Sequence, residues 1–133
     1  MKILIDTNVL ISTALFPDSI SSKAYFKAIT NNEVYICDYE LDEMKSVFQR
    51  KFPEKLDALN NFIVTMMVQI NVVKVPEEKS KYTIRDEKDE PILRTALYHN
   101  VDIILTGDKD FADVEMNKPK VITPSEYLTG VYL

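Results

Sequence analysis

Five short strand-like runs, separated by helical stripes, set the limits on what this chain can fold into. Residues 2–5 (KILI) are apolar and stop at Asp6-Thr7-Asn8, the pattern of a buried strand that ends in polar residues. Residues 34–37 (VYIC), 70–75 (INVVKV), 101–105 (VDIIL) and 120–122 (KVI) read as four more strands, since β-branched and aromatic residues favour extended chain. Asp18-Ser19 offers a helix cap, after which Ile20, Ala24 and Ala28, with Tyr25 and Ile29, recur at helical spacing until Asn31-Asn32. Leu41, Met44, Phe48 and Phe52 mark one face of a second helix. Pro53 suits the first position of a third, whose stripe is Leu56, Leu59, Ile63, Met66 and Ile70. Residues 76–88 are polar and charged without a stripe, and read as a loop. Asp89 and Pro91 open a helix carrying Ile92, Leu93, Ala96 and Leu97 and closed by Asn100, and residues 124–128 read as a short last helix. Strand alternates with helix throughout. The pattern predicts one α/β domain over residues 1–133, with a mainly parallel sheet of about four to five strands flanked by helices.

Composition narrows the chemistry. The 133 residues are 46% hydrophobic, enough for a packed core that buries roughly two-thirds of the unfolded chain's surface. Only two glycines occur, Gly107 and Gly130, so neither the P-loop nor the G-x-G-x-x-G fingerprint is present. The single cysteine, Cys37, excludes an intrachain disulfide and a cysteine zinc cluster, and the single histidine, His99, excludes multi-histidine metal sites. Cys37 reads as a small buried hydrophobe and His99 as a surface or capping residue. A metal here would rest on oxygen ligands, which favours Mg²⁺, Mn²⁺ or Ca²⁺. Ile3 to Ile5 is too short an apolar run for a signal-peptide core, and no run reaches the length of a membrane span. A soluble, cytoplasmic protein is expected.

The placement of the acids carries the functional signal. Asp6 follows the first strand directly, and Asp108 follows the fourth after Thr106-Gly107. In a parallel sheet both open on the edge outside the carboxyl ends of the strands, where open α/β folds bind ligands. Asp89, at the start of the helix that feeds the fourth strand, and Glu43, one turn into the helix after the second, are within reach of that edge. Crowded carboxylates must share protons or bind a cation, and a carboxylate-held divalent ion suits phosphodiester hydrolysis.

The segments ILIDTNVLIS (3–12), LDEMKSVFQRKF (41–52), RDEKDEPILRTAL (85–97) and ILTGDKDF (104–111) resemble the PIN domain family, the fold of many metal-dependent ribonucleases and of VapC-like toxins in toxin–antitoxin pairs. Each motif is weak alone; four in order within one short chain are specific, and the resemblance runs from residue 3 to about 125. It implies a Mg²⁺- or Mn²⁺-dependent endoribonuclease that cleaves single-stranded RNA, with an antitoxin protein as partner and a homodimeric state. Asp6, Glu43, Asp89 and Asp108 would be the catalytic and metal-binding acids, supported by Thr7, Asn8 and Thr106, with Asp110 as an accessory acid. Asp86 competes with Asp89 for the third position, and Asp89 is favoured because it leads straight into Pro91-Ile92-Leu93, where the family's helix starts; Glu40 and Asp42 compete with Glu43, which the leucine-x-Glu-apolar context favours.

Other readings stand beside these. Asp6, Thr7, Asn8 and Asp89 are good cap or turn residues, Asp108 suits a turn beside Gly107, and Glu43 could be a solvated helix acid. The net charge of −5 is unusual for an RNA binder. Cations nonetheless surround the proposed site: Lys45, Arg50, Arg85 and Lys109 are the RNA-contact candidates, with Lys23, Lys27, Lys51, Lys88 and Arg94 nearby in sequence terms. A catalytically inactive PIN-like interaction module is the first alternative function. A phosphohydrolase with Asp6 as nucleophile is the second, although residue 8 is Asn where its D-x-D-x-T pattern needs Asp.

Overall fold

A computed structural model describes residues 1–130. The chain runs β1 (Lys2–Ile5), α1 (Thr7–Leu15), α2 (Ile20–Asn31), β2 (Glu33–Cys37), α3 (Asp38–Lys51), α4 (Leu56–Gln69), β3 (Asn71–Val73), α5 (Glu90–Tyr98), β4 (Ile103–Leu105), α6 (Lys109–Ala112), β5 (Lys120–Ile122) and α7 (Pro124–Thr129). Short 3-10 turns at Pro53–Lys55 and Glu87–Asp89 lead into α4 and α5.

All five strands are parallel, in the order β3-β2-β1-β4-β5. Ile3, Leu4 and Ile5 pair with Ile103, Ile104 and Leu105, while Ile3 and Leu4 pair with Val34 and Tyr35 on the other side. Central strands flanked on both sides read as unbroken apolar runs, which explains KILI and IIL. Successive side chains point to opposite faces. Ile3 and Ile5 therefore join a core built with α1, α2, α3, α4 and α7, around Leu10, Tyr25, Phe48, Met66 and Tyr127. Leu4, Ile104 and Cys37 join a second core under α5 and α6, around Ile92, Leu93 and Phe111.

The chain moves outward from β1 through β2 to β3, then returns to the far side of β1 at β4. This reversal places a switch point between β1 and β4, and the crevice outside the carboxyl ends of those two strands is where such sheets bind ligands. Asp6 and Thr106 are the first residues past those two strand ends.

The structure differs from the sequence expectations in several places. Helix α1 begins immediately after β1, with Asp6 as its N-cap; the polar triplet that ends the strand also starts a helix, because cap and strand-end preferences coincide. Val9, Leu10 and Thr13 form its buried face. Strands β3 and β4 are shorter than the apolar runs around them, so Ile70 and Val101 are buried without belonging to a strand. The loop 76–88 is anchored by buried Ile84 and ends in the turn at Glu87–Asp89. Helix α5 stops at Tyr98, and Asn100 follows at φ 53°, a left-handed conformation that Asn tolerates better than most residues. His99 is the C-cap of α5, half-buried between the rings of Tyr35 and Tyr98. No helix among the described residues is long and apolar enough to cross a membrane.

Candidate active site

The centre of the site is Asp6, only 2% exposed. Its Oδ1 accepts from the backbone N–H of Thr7 at 2.8 Å, the capping bond of α1. Its Oδ2 accepts from Thr106 Oγ1 at 2.8 Å. Burial still wins over these two bonds: it raises the carboxyl from 3.8 to about 6, with the charges of Asp108 and Glu43 adding to the rise. Thr106 Oγ1 also accepts from the Asp108 backbone N–H at 2.9 Å. One hydroxyl thus ties the end of β1 to the turn after β4.

Asp108 caps the four-residue α6, its Oδ1 accepting from Asp110 N–H at 2.8 Å. Glu43, on α3, is half-buried and accepts from Thr7 Oγ1 at 2.7 Å; burial raises its carboxyl above the ordinary value. A freely solvated acid does not describe it. Glu40, one turn earlier and set aside in the sequence reading, is fully buried. Its Oε1 accepts from Cys37 N–H at 3.2 Å, and its Oε2 lies 3.5 Å from Thr7 Oγ1. Desolvation and the charge of Asp6 push this carboxyl well above the usual range.

Asp89 is 9% exposed, and its buried Oδ2 has no hydrogen-bond partner among the described residues. The sequence suggested a cap before Pro91, but Asp89 makes no side-chain capping bond; Asp86 does the local capping instead, accepting from Lys88 N–H at 3.0 Å. Burial raises Asp89 from 3.8 to about 8, with the neighbouring Asp108 carboxyl and the charges of Asp6 and Asp86 adding to the rise. Among the described residues, the acids that come close enough together to share one cation are Asp86, Asp89 and Asp110, each offering an oxygen within 4.8 Å of the others. Both contenders for the third position therefore reach the site. Of the four expected metal acids only Asp89 is in this group; Asp6, Glu43 and Asp108 are tied to one another through Thr7 and Thr106, and Asp108 accepts from the Asp110 backbone N–H.

The remaining candidates divide. Asn8 is exposed and makes no side-chain hydrogen bond among the described residues; it lines a groove of about 460 Å³ with Asp108 and Thr123. Lys45 and Arg50 are exposed on α3, and Lys109 is exposed at the start of α6 beside Asp108. Arg85 is exposed, with its Nε 3.8 Å from Asp110 Oδ1. Arg94 is not a free cation: it pairs with Glu90 and donates to the carbonyls of Pro76 and Glu77, pinning the loop to α5. Lys27 is likewise engaged, donating to the Tyr127 carbonyl. Cys37 is fully buried at the N-cap of α3. Sequence reasoning missed the part played by Glu40. Its signal was a glutamate at the third position of a helix, where a side chain reaches back to the cap.

A family model described as "PIN domain" matches residues 2–110. No curated protein matches the sequence. Among solved structures, a chain in the crystal structure of VapBC2 from Rickettsia felis, bound to a DNA fragment from their promoter, superposes with a TM-score of 0.71 at 12% identity. The match covers 92% of this chain and 98% of that one.

Proposed function

The chain belongs to the PIN-domain family, whose members are generally nucleases, and on that premise we propose that it is a metal-dependent endoribonuclease acting on single-stranded RNA, the toxin of a toxin–antitoxin pair. The observation that carries the reading is the buried, unpartnered Oδ2 of Asp89 within a cluster of acids. A buried polar atom without a partner is costly, and a carboxylate crowded by other carboxylates is stabilised by a cation. The donor set is oxygen only, which suits Mg²⁺ or Mn²⁺. A bound ion of this kind supplies an activated water and offsets charge on the phosphate.

In this reading Asp86, Asp89 and Asp110, whose oxygens approach within 4.8 Å of one another, form one side of the metal site, and Asp6, Glu43 and Asp108 complete it. Thr106 and Thr7 fix the orientation of Asp6 and Glu43 by the bonds already described, as groups behind metal ligands do. Lys45, Arg50, Arg85 and Lys109 lie exposed on the surface and take phosphates of the RNA, which offsets the acidic net charge locally. The structural likeness to a chain of a VapBC2 complex supports the toxin–antitoxin assignment. An antitoxin protein and a second copy of the chain are the proposed protein partners, residues 1–133 the proposed single domain, and the cytoplasm the proposed compartment.

The test is cleavage of a labelled single-stranded RNA pool by the purified protein with Mn²⁺. Cleavage that needs the ion supports the reading. Release of phosphate from a small ester without RNA cleavage would favour the Asp6 phosphohydrolase, and failure to bind Mn²⁺ would favour an interaction module.

A further inference from the structure

Glu40 has no place in the reading above, yet it is fully buried within reach of the group that holds Glu43. As a capping residue it needs only Oε1, which accepts from Cys37 N–H at 3.2 Å and lies 3.6 Å from Cys37 Sγ. That leaves Oε2, which faces Thr7 Oγ1 at 3.5 Å. Thr7 has one hydroxyl proton, and the shorter contact of 2.7 Å to Glu43 Oε1 claims it. Thr7 Oγ1 therefore presents a lone pair toward Glu40. A carboxylate oxygen there would set lone pair against lone pair in a buried place. No lysine or arginine forms an ion pair with Glu40 among the described residues. A carboxylic acid turns the same contact into a donor–acceptor pair.

We propose that Glu40 is a positioning residue whose acid O–H donates to Thr7 Oγ1, so that the Thr7 O–H stays directed at Glu43 and holds that carboxylate in place for the metal. The proposal rests on Glu43 being a metal ligand. The direction of the relay is set by counting donors: Glu40 donates one hydrogen bond to Thr7, Thr7 donates one to Glu43, each proton staying on its own oxygen, and Glu43 keeps its other oxygen for the cation. Burial and the neighbouring charge of Asp6 favour the acid form of Glu40. The relay joins the first turn of α1 to the first two turns of α3, the two elements that carry Asp6 and Glu43.

Glutamine reproduces the pattern: its carbonyl accepts from Cys37 N–H and its amide donates to Thr7. Methionine keeps the bulk and supplies neither bond. The experiment measures Mn²⁺ affinity by calorimetry, and the metal-free Tm, for the wild type, E40Q, E40M and T7V. The expected result is that E40Q keeps Mn²⁺ affinity within about twofold, while E40M and T7V each weaken it about tenfold, the low end for removing a group behind a ligand. The RNA KM should stay near the wild-type value in E40M while kcat falls. If E40M lowers only the Tm and leaves Mn²⁺ affinity unchanged, Glu40 is a cap and the proposal fails. If E40Q weakens binding as much as E40M, the charge of Glu40 is what matters, and the proposal fails. Should E40M not fold, unchanged Mn²⁺ affinity in T7V overturns the relay by itself. A wild type that binds no Mn²⁺ overturns the reading of the site and the proposal with it, an outcome distinct from the first three.

Discussion

Thr106 Oγ1 donates to Asp6 Oδ2 at 2.8 Å across 100 residues of sequence. The two residues follow adjacent parallel strands, and the bond closes the crevice at the switch point of the sheet. The same hydroxyl accepts from Asp108 N–H, so a single side chain sets the spacing between two of the proposed metal ligands. Thr106→Val keeps the shape and removes both bonds. We expect a loss of about 1–3 kcal/mol of stability and a fall in cleavage of roughly 10–100-fold, read by denaturant unfolding and by single-turnover cleavage. Wild-type cleavage in this variant would show that Asp6 is held by other means.

Protons and metal should compete for the site. Asp6 and Asp89 are raised from 3.8 to about 6 and about 8 when folded. Acids raised by folding bind protons more tightly in the native state, so their stabilising effect is complete below about 3.8 and is lost as pH rises through about 6 and then about 8. The lowered carboxyls, Glu90, Asp102 and Glu126, titrate below this window, and His99, lowered from 6.5 chiefly by burial, opposes the trend only below about 6.5. The metal-free Tm should therefore fall by roughly 5 °C or more between pH 5.5 and 8.5. Mn²⁺ needs the deprotonated acids, so the stabilisation it gives should grow over the same range. A metal-free Tm that rises from pH 5.5 to 8.5 would contradict the crowding of these carboxyls.

RNA contact should show in the salt dependence. Arg85 and Lys109 flank the acids, whereas Lys118 pairs with Asp102 at 3.3 Å before β4, at the opposite edge of the sheet. Arg85→Ala and Lys109→Ala should each lower the slope of log affinity against log salt by about 0.7, the value for one phosphate contact on a single strand. Lys118→Ala should leave it unchanged. The slopes are read by fluorescence anisotropy on a labelled oligonucleotide with Asp6→Asn in the background. Equal slopes in all three variants would remove Arg85 and Lys109 from the interface.

Arg94 predicts a structural loss instead. It holds Glu90 and the carbonyls of Pro76 and Glu77, which anchors the loop before α5 to that helix. Arg94→Ala should destabilise the protein by about 1–3 kcal/mol and increase protease cutting within residues 76–84. A variant as resistant as the wild type would show that Ile84, buried in the second core, is anchor enough.

The parts of the fold legible in the sequence were those written in periodicity. The β1 and β4 runs and the stripes of α2, α3, α4 and α5 could be read because a buried face leaves a repeat. Strand ends also gave Asp6 and Asp108, since a residue that follows a parallel strand must open on the ligand edge. Helix α1 was not legible, because Asp6-Thr7-Asn8 serves a strand end and a helix cap equally well. Glu40 was hidden for a different reason: a helical wheel gives direction and not depth, and depth is what separates Glu40 from the solvated Asp42. Asp86 and Asp89 could not be told apart because they sit around a 3-10 turn, where no repeat fixes which side chain points inward. Arg94 stood among the cations near the site although its partner Glu90, one helical turn away, was in plain view.

Whether the buried acids hold a metal that cuts RNA is decided by cleavage of a labelled single-stranded RNA pool by wild type and Asp6→Asn, each with Mn²⁺ and with EDTA. Asp6 accepts one bond from a backbone amide and one from a hydroxyl that can itself turn to accept, so asparagine should fold with a Tm near the wild-type value. Cleavage is expected from the wild type with Mn²⁺ and not with EDTA, with a loss of at least about 100-fold in Asp6→Asn. Equal cleavage by the two proteins, or cleavage that persists in EDTA, would contradict a catalytic metal held by these acids.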